Sequence, residues 1–142
     1  MFRFSGEFSL NDDFKEGYLM FVLLAMMFCH IVDDYYLQGW LASAKQKEWW
    51  KKNAPDEMYK NDYIWALLMH SFSWSFMVML PIAIANKLEV GLWYYLLVMI
   101  NTVVHCVVDD LKANQKEINL WVDQIIHFVQ IFVTYIIYSL VM

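Results

Sequence analysis

Polar and apolar positions along this chain sort into four long apolar runs with short polar connections between them. The runs cover residues 14–40, 63–85, 90–111 and 120–142, with cores such as LMFVLLAMMF in the first and HFVQIFVTYIIYSLVM in the last. A helix needs about 20 mostly apolar residues to cross a bilayer, and each run meets that length if its few polar residues face inward. The pattern predicts an all-α fold: an integral membrane four-helix bundle, read as one transmembrane domain over 1–142. Asn86–Gly91 is a short hairpin between the second and third spans, and Pro81 is expected to bend the second helix or shape its end. Ala54-Pro55-Asp56 interrupts the long connection between the first two spans. Its Trp49, Trp50 and Tyr59 predict an interfacial helix lying on the headgroups. The opening Met-Phe-Arg is followed by neither an early apolar core nor a small-residue cleavage site, so no removable signal peptide is expected.

Composition agrees with the pattern. With 61% hydrophobic and 18% charged residues, and only 4 Gly and 2 Pro, the chain departs from a soluble domain of 142 residues. The net charge of -5 argues against nucleic acid as a partner and says less than where the charges lie. Lys45, Lys47, Lys51, Lys52 and Lys60 fall between the first and second spans, and Lys112 and Lys116 between the third and fourth. The other side carries Lys87 beside Glu89 and a mainly acidic tail with Arg3, Glu7, Asp12 and Asp13. The positive-inside rule then places both termini outside and the lysine-bearing connections in the cytoplasm. Trp40, Trp93, Tyr94, Tyr95 and Trp121 read as interfacial anchors, so membrane lipids are the first expected partners. Cys29 and Cys106 form no CxxC pair and read as packed thiols. Small-residue helix faces are not prominent, which leaves a homo-oligomer and a membrane-protein partner both open.

The chemistry lies in the histidines. All four sit in apolar stretches, and three have an aspartate one helical turn away: His30 with Asp34, His105 with Asp109, and His127 with Asp123. Counted from the predicted ends, these six residues and His70 reach a similar depth in the cytosolic leaflet. Residues four apart share a helix face, so His30, Asp34 and Gln38 form one stripe, and His105, Asp109 and, less closely, Lys112 another. Four helices can therefore supply one polar centre, as bundle metal sites do. Four imidazoles and three carboxylates could hold one divalent ion with outer contacts, or two with bridging carboxylates; zinc, iron, manganese and nickel all suit such ligands. A metal-free hydrogen-bond network and a proton or ion path are the competing readings. Asp33 and Asp110, next in sequence to Asp34 and Asp109, are expected to point elsewhere, to the rim or to contacts behind the ligands. Ser73 shares a face with His70 and is expected to serve helix hydrogen bonding or packing. Lys112 and Gln38, nearer the cytoplasm, could receive an anionic group, with a snorkelling lysine as the plainer account.

Read together, these residues resemble a bacterial and phage membrane family catalogued as domain of unknown function 3307. The likeness spans roughly residues 18 to 130. It rests on His30, Asp34 and Gln38; the lone His70; His105, Asp109 and Lys112; and Asp123, Gln124 and His127. Asp33 stands where the family commonly has glycine, and Tyr35 where it has phenylalanine. The resemblance implies a multi-pass protein of the bacterial inner membrane and the joint importance of these residues, and supplies no substrate. The leading expectation is a metal-dependent hydrolase acting at the cytosolic leaflet on a phosphorylated lipid or small phosphoester. His30, Asp34, His70, His105, Asp109, Asp123 and His127 would be metal ligands, with Asp34, Asp109 or Asp123 accepting a proton. Lys112, Gln38 and Gln124 would contact the bound group. The alternative is non-enzymatic: a protein that binds a membrane partner and uses the His/Asp cluster structurally, or a component of ion or proton transport.

Overall fold

A computed structural model describes residues 10–141, with side chains from residue 14 onward. Every regular element among the described residues is helical. Helix α1 (Leu10–Val32) runs into a π-helical turn (Asp33–Leu37). Two short helices, α2 (Leu41–Ala44) and α3 (Lys47–Asn53), and a 3-10 turn (Glu57–Tyr59) form the long connection. Then come α4 (Asp62–Ala85), α5 (Leu92–Asp110) continued by a second π-helical turn (Leu111–Gln115), and α6 (Leu120–Val141). Four stretches, Phe14–Leu37, Glu57–Ala85, Leu92–Gln115 and Leu120–Val141, are long and apolar enough to span a bilayer. The chain is thus a multi-pass membrane protein. Of the tail charges used to orient it, Arg3 and Glu7 lie outside the described residues, while Asp12 and Asp13 belong to the first turn of α1.

Helix α4 is the centre of the bundle because it is apolar all round and carries small residues where its neighbours approach. It buries Ala66, Leu67, Trp74, Val78, Met79, Ile82 and Ala83, and packs chiefly against α5 and α1. Ser75 donates its hydroxyl to the Val98 carbonyl of α5 at 2.7 Å, a close approach that a larger side chain would prevent. Val22 and Met26 from α1, Leu97 and Val98 from α5, and Ile131 and Tyr138 from α6 complete the core. The outward positions are apolar too, Phe72, Phe76, Leu96, Val103, Val129 and Val133 among them. Lipid tails are as apolar as these side chains, so such exposure carries no penalty in a bilayer.

Pro81 does not interrupt α4, which continues to Ala85 with the lost bond confined to its last turns. The hairpin that follows closes with the Leu88 amide donating to the Ala83 carbonyl at 2.7 Å. At the other end, Gly39 takes a φ of +50° just past the first π-helical turn, where a β-carbon would be strained. The chain then folds under the bundle as α2 and α3. Trp40 meets Trp49 and Trp50 edge-to-face at 5.8 and 6.0 Å, and the Trp50 indole donates to the Ala44 carbonyl at 2.6 Å. Asn114, in the second π-helical turn, clamps this segment: its amide donates to the Lys45 carbonyl at 3.0 Å and its oxygen accepts the Lys47 amide at 2.8 Å.

Candidate metal centre

The seven ionisable side chains singled out by spacing converge at the end of the bundle beneath α2 and α3. His30, His70, His105, His127, Asp109 and Asp123 are each at most 1% exposed, and the Asp34 side chain is 5% exposed. Each helix delivers its residues by simple periodicity, with one addition. One π-helical turn begins at Asp33 and carries Asp34, and the other begins at Leu111, two residues after Asp109. A π turn widens the helix and re-aims side chains, a device frequent at functional sites. It lets adjacent Asp33 and Asp34 both face inward, with side chains 1% and 5% exposed.

Four donor atoms lie at the heart of the cluster. His70 Nε2 is 3.2 Å from His105 Nε2, 3.4 Å from Asp34 Oδ1 and 3.2 Å from Asp109 Oδ2. His105 Nε2 is 3.7 Å from the same Asp109 oxygen. Two ligands of a tetrahedral ion with bonds of about 2.1 Å stand roughly 3.4 Å apart, so these four separations are of the size of tetrahedral edges, and Asp34, His70 and His105 keep one donor each within 4.8 Å of one another. A neighbouring triad of His105, Asp109 and His127 also keeps one donor from each residue within 4.8 Å of the others. The donors are held rigidly. The His105 ring packs nearly parallel to both the Trp74 indole and the His127 imidazole, each centroid 4.2 Å away, and those two rings stand 5.4 Å apart against each other. Several buried atoms lack hydrogen-bond partners, including His105 Nδ1, both His127 ring nitrogens and Asp123 Oδ1. Unpartnered polar atoms in an apolar surround are costly. Imidazole and carboxylate together are a donor set that fits a divalent cation.

Around these donors the remaining residues form a supporting layer. His30 accepts the Trp74 Nε1 hydrogen on Nδ1 at 2.7 Å, which places its own proton on Nε2, toward Gln124 Oε1 at 3.1 Å. Both nitrogens are engaged, so His30 borders the donors without adding to them. Gln124 also donates to Asp34 Oδ2 at 3.3 Å and to Asp123 Oδ2 at 3.0 Å, tying α6 to α1. Asp123 lies 3.3 Å from His127 Nε2 and accepts Lys112 at 2.5 Å. Gln38 turns back onto Asp34. Lys112 and Gln38, the expected anion contacts, therefore hold carboxylates of the cluster itself.

Asp33 and Asp110 take the two places expected for them, and Ser73 and Lys45 do not. Asp33 points into the bundle behind His70, its Oδ2 3.9 Å from His70 Nδ1. Ser73, expected to serve its own helix, donates instead to Asp33 Oδ1 at 2.7 Å. Asp110 stays at the rim, accepting Asn114 and Gln115. Lys45, counted among the loop lysines, is 6% exposed and donates to Asp109 Oδ2 at 2.6 Å. Trp74 escapes a search for ionisable groups, although its place four residues after His70 puts it on the same face. Lys45 has no comparable signal, since the fold of α2 alone brings it inward.

Comparison with protein-family models, with curated proteins and with solved structures finds no match. The fold and site define the class by themselves: a membrane-spanning helical bundle with a buried His/Asp cluster capable of coordinating a metal ion.

Proposed function

We propose that the protein is a non-enzymatic, metal-binding membrane protein in which one tetrahedral ion of the zinc class cross-links the bundle. Asp34 from the π-helical turn that continues α1, His70 from α4, and His105 and Asp109 from α5 would hold it. The observation that carries this reading is the set of donor separations of 3.2 to 3.7 Å about His70 and His105. Four protein donors would close a tetrahedral shell, and closed shells characterise structural sites, whereas catalytic sites keep a position open. The charge pattern supports the same choice. Lys112, the cation assigned to a substrate anion in the hydrolase reading, is paired with Asp123. The contribution of the ion would be to tie three helices whose contacts in lipid lack a hydrophobic driving force. The faces left for a membrane partner are the aromatic α2–α3 segment and the exposed sides of α1 and α6, in the inner membrane of a bacterium.

A hydrolase keeps one supporting observation. A groove of about 500 Å³ between the ends of α1 and α6, lined by Ile31, Tyr35, Tyr36, Trp121 and Phe128, reaches Gln124 at the edge of the cluster. The two readings separate in one preparation. Protein purified in nanodiscs without chelator should contain about one zinc-class ion per chain, lose stability when the ion is stripped, and turn over neither phosphatidic acid nor a soluble phosphoester. Metal-dependent turnover lost in Asp34→Asn would replace this proposal with the hydrolase. Absence of bound metal would end both.

A further inference from the structure

Among the described residues, Lys45 is the one buried lysine or arginine, and it lies at the donor set. Its Nζ lies 2.6 Å from Asp109 Oδ2, the same oxygen that stands 3.2 Å from His70 Nε2 and 3.7 Å from His105 Nε2. We infer that Lys45 is the resident cation of this site and that a divalent ion binds by displacing its ammonium from Asp109, so that Lys45 sets the affinity of the site for metal. The inference rests on the metal-binding reading above and goes beyond it.

Three observations lead to it. First, a carboxylate oxygen accepting an ammonium proton at this distance has its charge committed to that partner. An ion sharing the oxygen would place a second positive charge within a few ångströms of Nζ in a low-dielectric surround. Their repulsion is large enough to decide between occupants. Second, Lys45 holds its segment to the bundle through its ammonium, one of a small set of ties. Its carbonyl accepts Asn114, its neighbour Ala44 is fully buried and accepts the Trp50 indole through its carbonyl, and the Lys47 amide donates to Asn114. Release of Nζ removes the Asp109 tie from this set and leaves the α2–α3 segment over the cluster on the remaining three contacts. Third, the segment has somewhere to go. Its flanks are the positive-φ Gly39 and the break at Ala54-Pro55, and its outer face carries exposed Lys51 and Lys52.

The test is zinc titration against a competing chelator, on the full chain in nanodiscs, for wild type, Lys45→Met and Lys52→Met. Removing the resident cation should raise zinc affinity at least about tenfold in Lys45→Met. Lys52→Met carries the same change of charge on an exposed helix and should stay within about threefold of wild type. Amide hydrogen exchange supplies a second readout: zinc should raise exchange across residues 41–53 of the wild type. If Lys45→Met does not keep wild-type helix content by circular dichroism, Lys45→Gln replaces it with the same expected direction. Equal zinc affinity in wild type and the Lys45 variant, or a lower one in the variant, would overturn the inference and leave the metal site standing. No zinc bound by either protein would overturn both.

Discussion

Asp109→Asn changes almost nothing in shape and removes the charge on which the centre of the bundle converges. In the wild type its carboxylate accepts Lys45 at 2.6 Å and lies 3.2 Å from His70 and 3.7 Å from both His105 and His127. The Lys45 and Asp109 side chains are 7% and 1% exposed, so solvent screens the pair little. Breaking a buried pair by removing one partner typically costs about 3–5 kcal/mol, because the other charge is left uncompensated. Asp109→Asn should therefore destabilise the protein by about 3–5 kcal/mol in chelator, where metal makes no contribution. The double variant Lys45→Met/Asp109→Asn removes both charges and should recover at least half of that loss. Equilibrium unfolding of the four proteins in mixed micelles, followed by helical circular dichroism, completes the cycle. A loss below about 1 kcal/mol for Asp109→Asn, or a double variant no better than the sum of the single ones, would refute the claim that this ion pair organises the centre.

Further expectations concern the supporting layer and the orientation. Trp74→Ala should cost about 3–5 kcal/mol, since the indole is fully buried, stacked on His105, and the donor to His30; Trp74→Phe should cost about 1–3 kcal/mol, for the hydrogen bond and the part of the indole a phenyl ring does not fill. The same unfolding measurement reads both, and equal losses would show that the hydrogen bond to His30 dominates. Gln124→Leu leaves contacts to His30, Asp34 and Asp123 unmade and should lower stability by about 1–3 kcal/mol. Unchanged unfolding would mean that α6 is held to α1 by packing alone. In a variant lacking Cys29 and Cys106, Lys52→Cys should react with a membrane-impermeant thiol reagent only after the cytoplasmic face is opened. Labelling in intact cells would reverse the orientation drawn from the lysines.

What the amino-acid sequence determined by itself was whatever repeats along a single helix. Apolar runs of sufficient length marked the four spans, and His-to-Asp spacings of one turn showed which side chains share a face, because side-chain direction follows the helical period. Counting from the ends of the spans suffices to bring His30, His70, His105 and His127 to one depth, where the structure gathers them. Tertiary structure decided the roles within that gathering. Periodicity carries no record of which atoms meet across helices, so it did not separate the donors gathered about His70 and His105 from His30, whose nitrogens are both engaged. It did not foresee the π-helical turn that carries Asp33 inward, since hydrogen-bond register is settled by packing at the helix end. Least legible was Lys45, a lysine in a polar connection like its neighbours, buried because Asn114 and Trp50 draw α2 beneath the bundle. A loop charge becomes part of a core only through contacts distant in sequence, and such contacts leave no pattern along the chain.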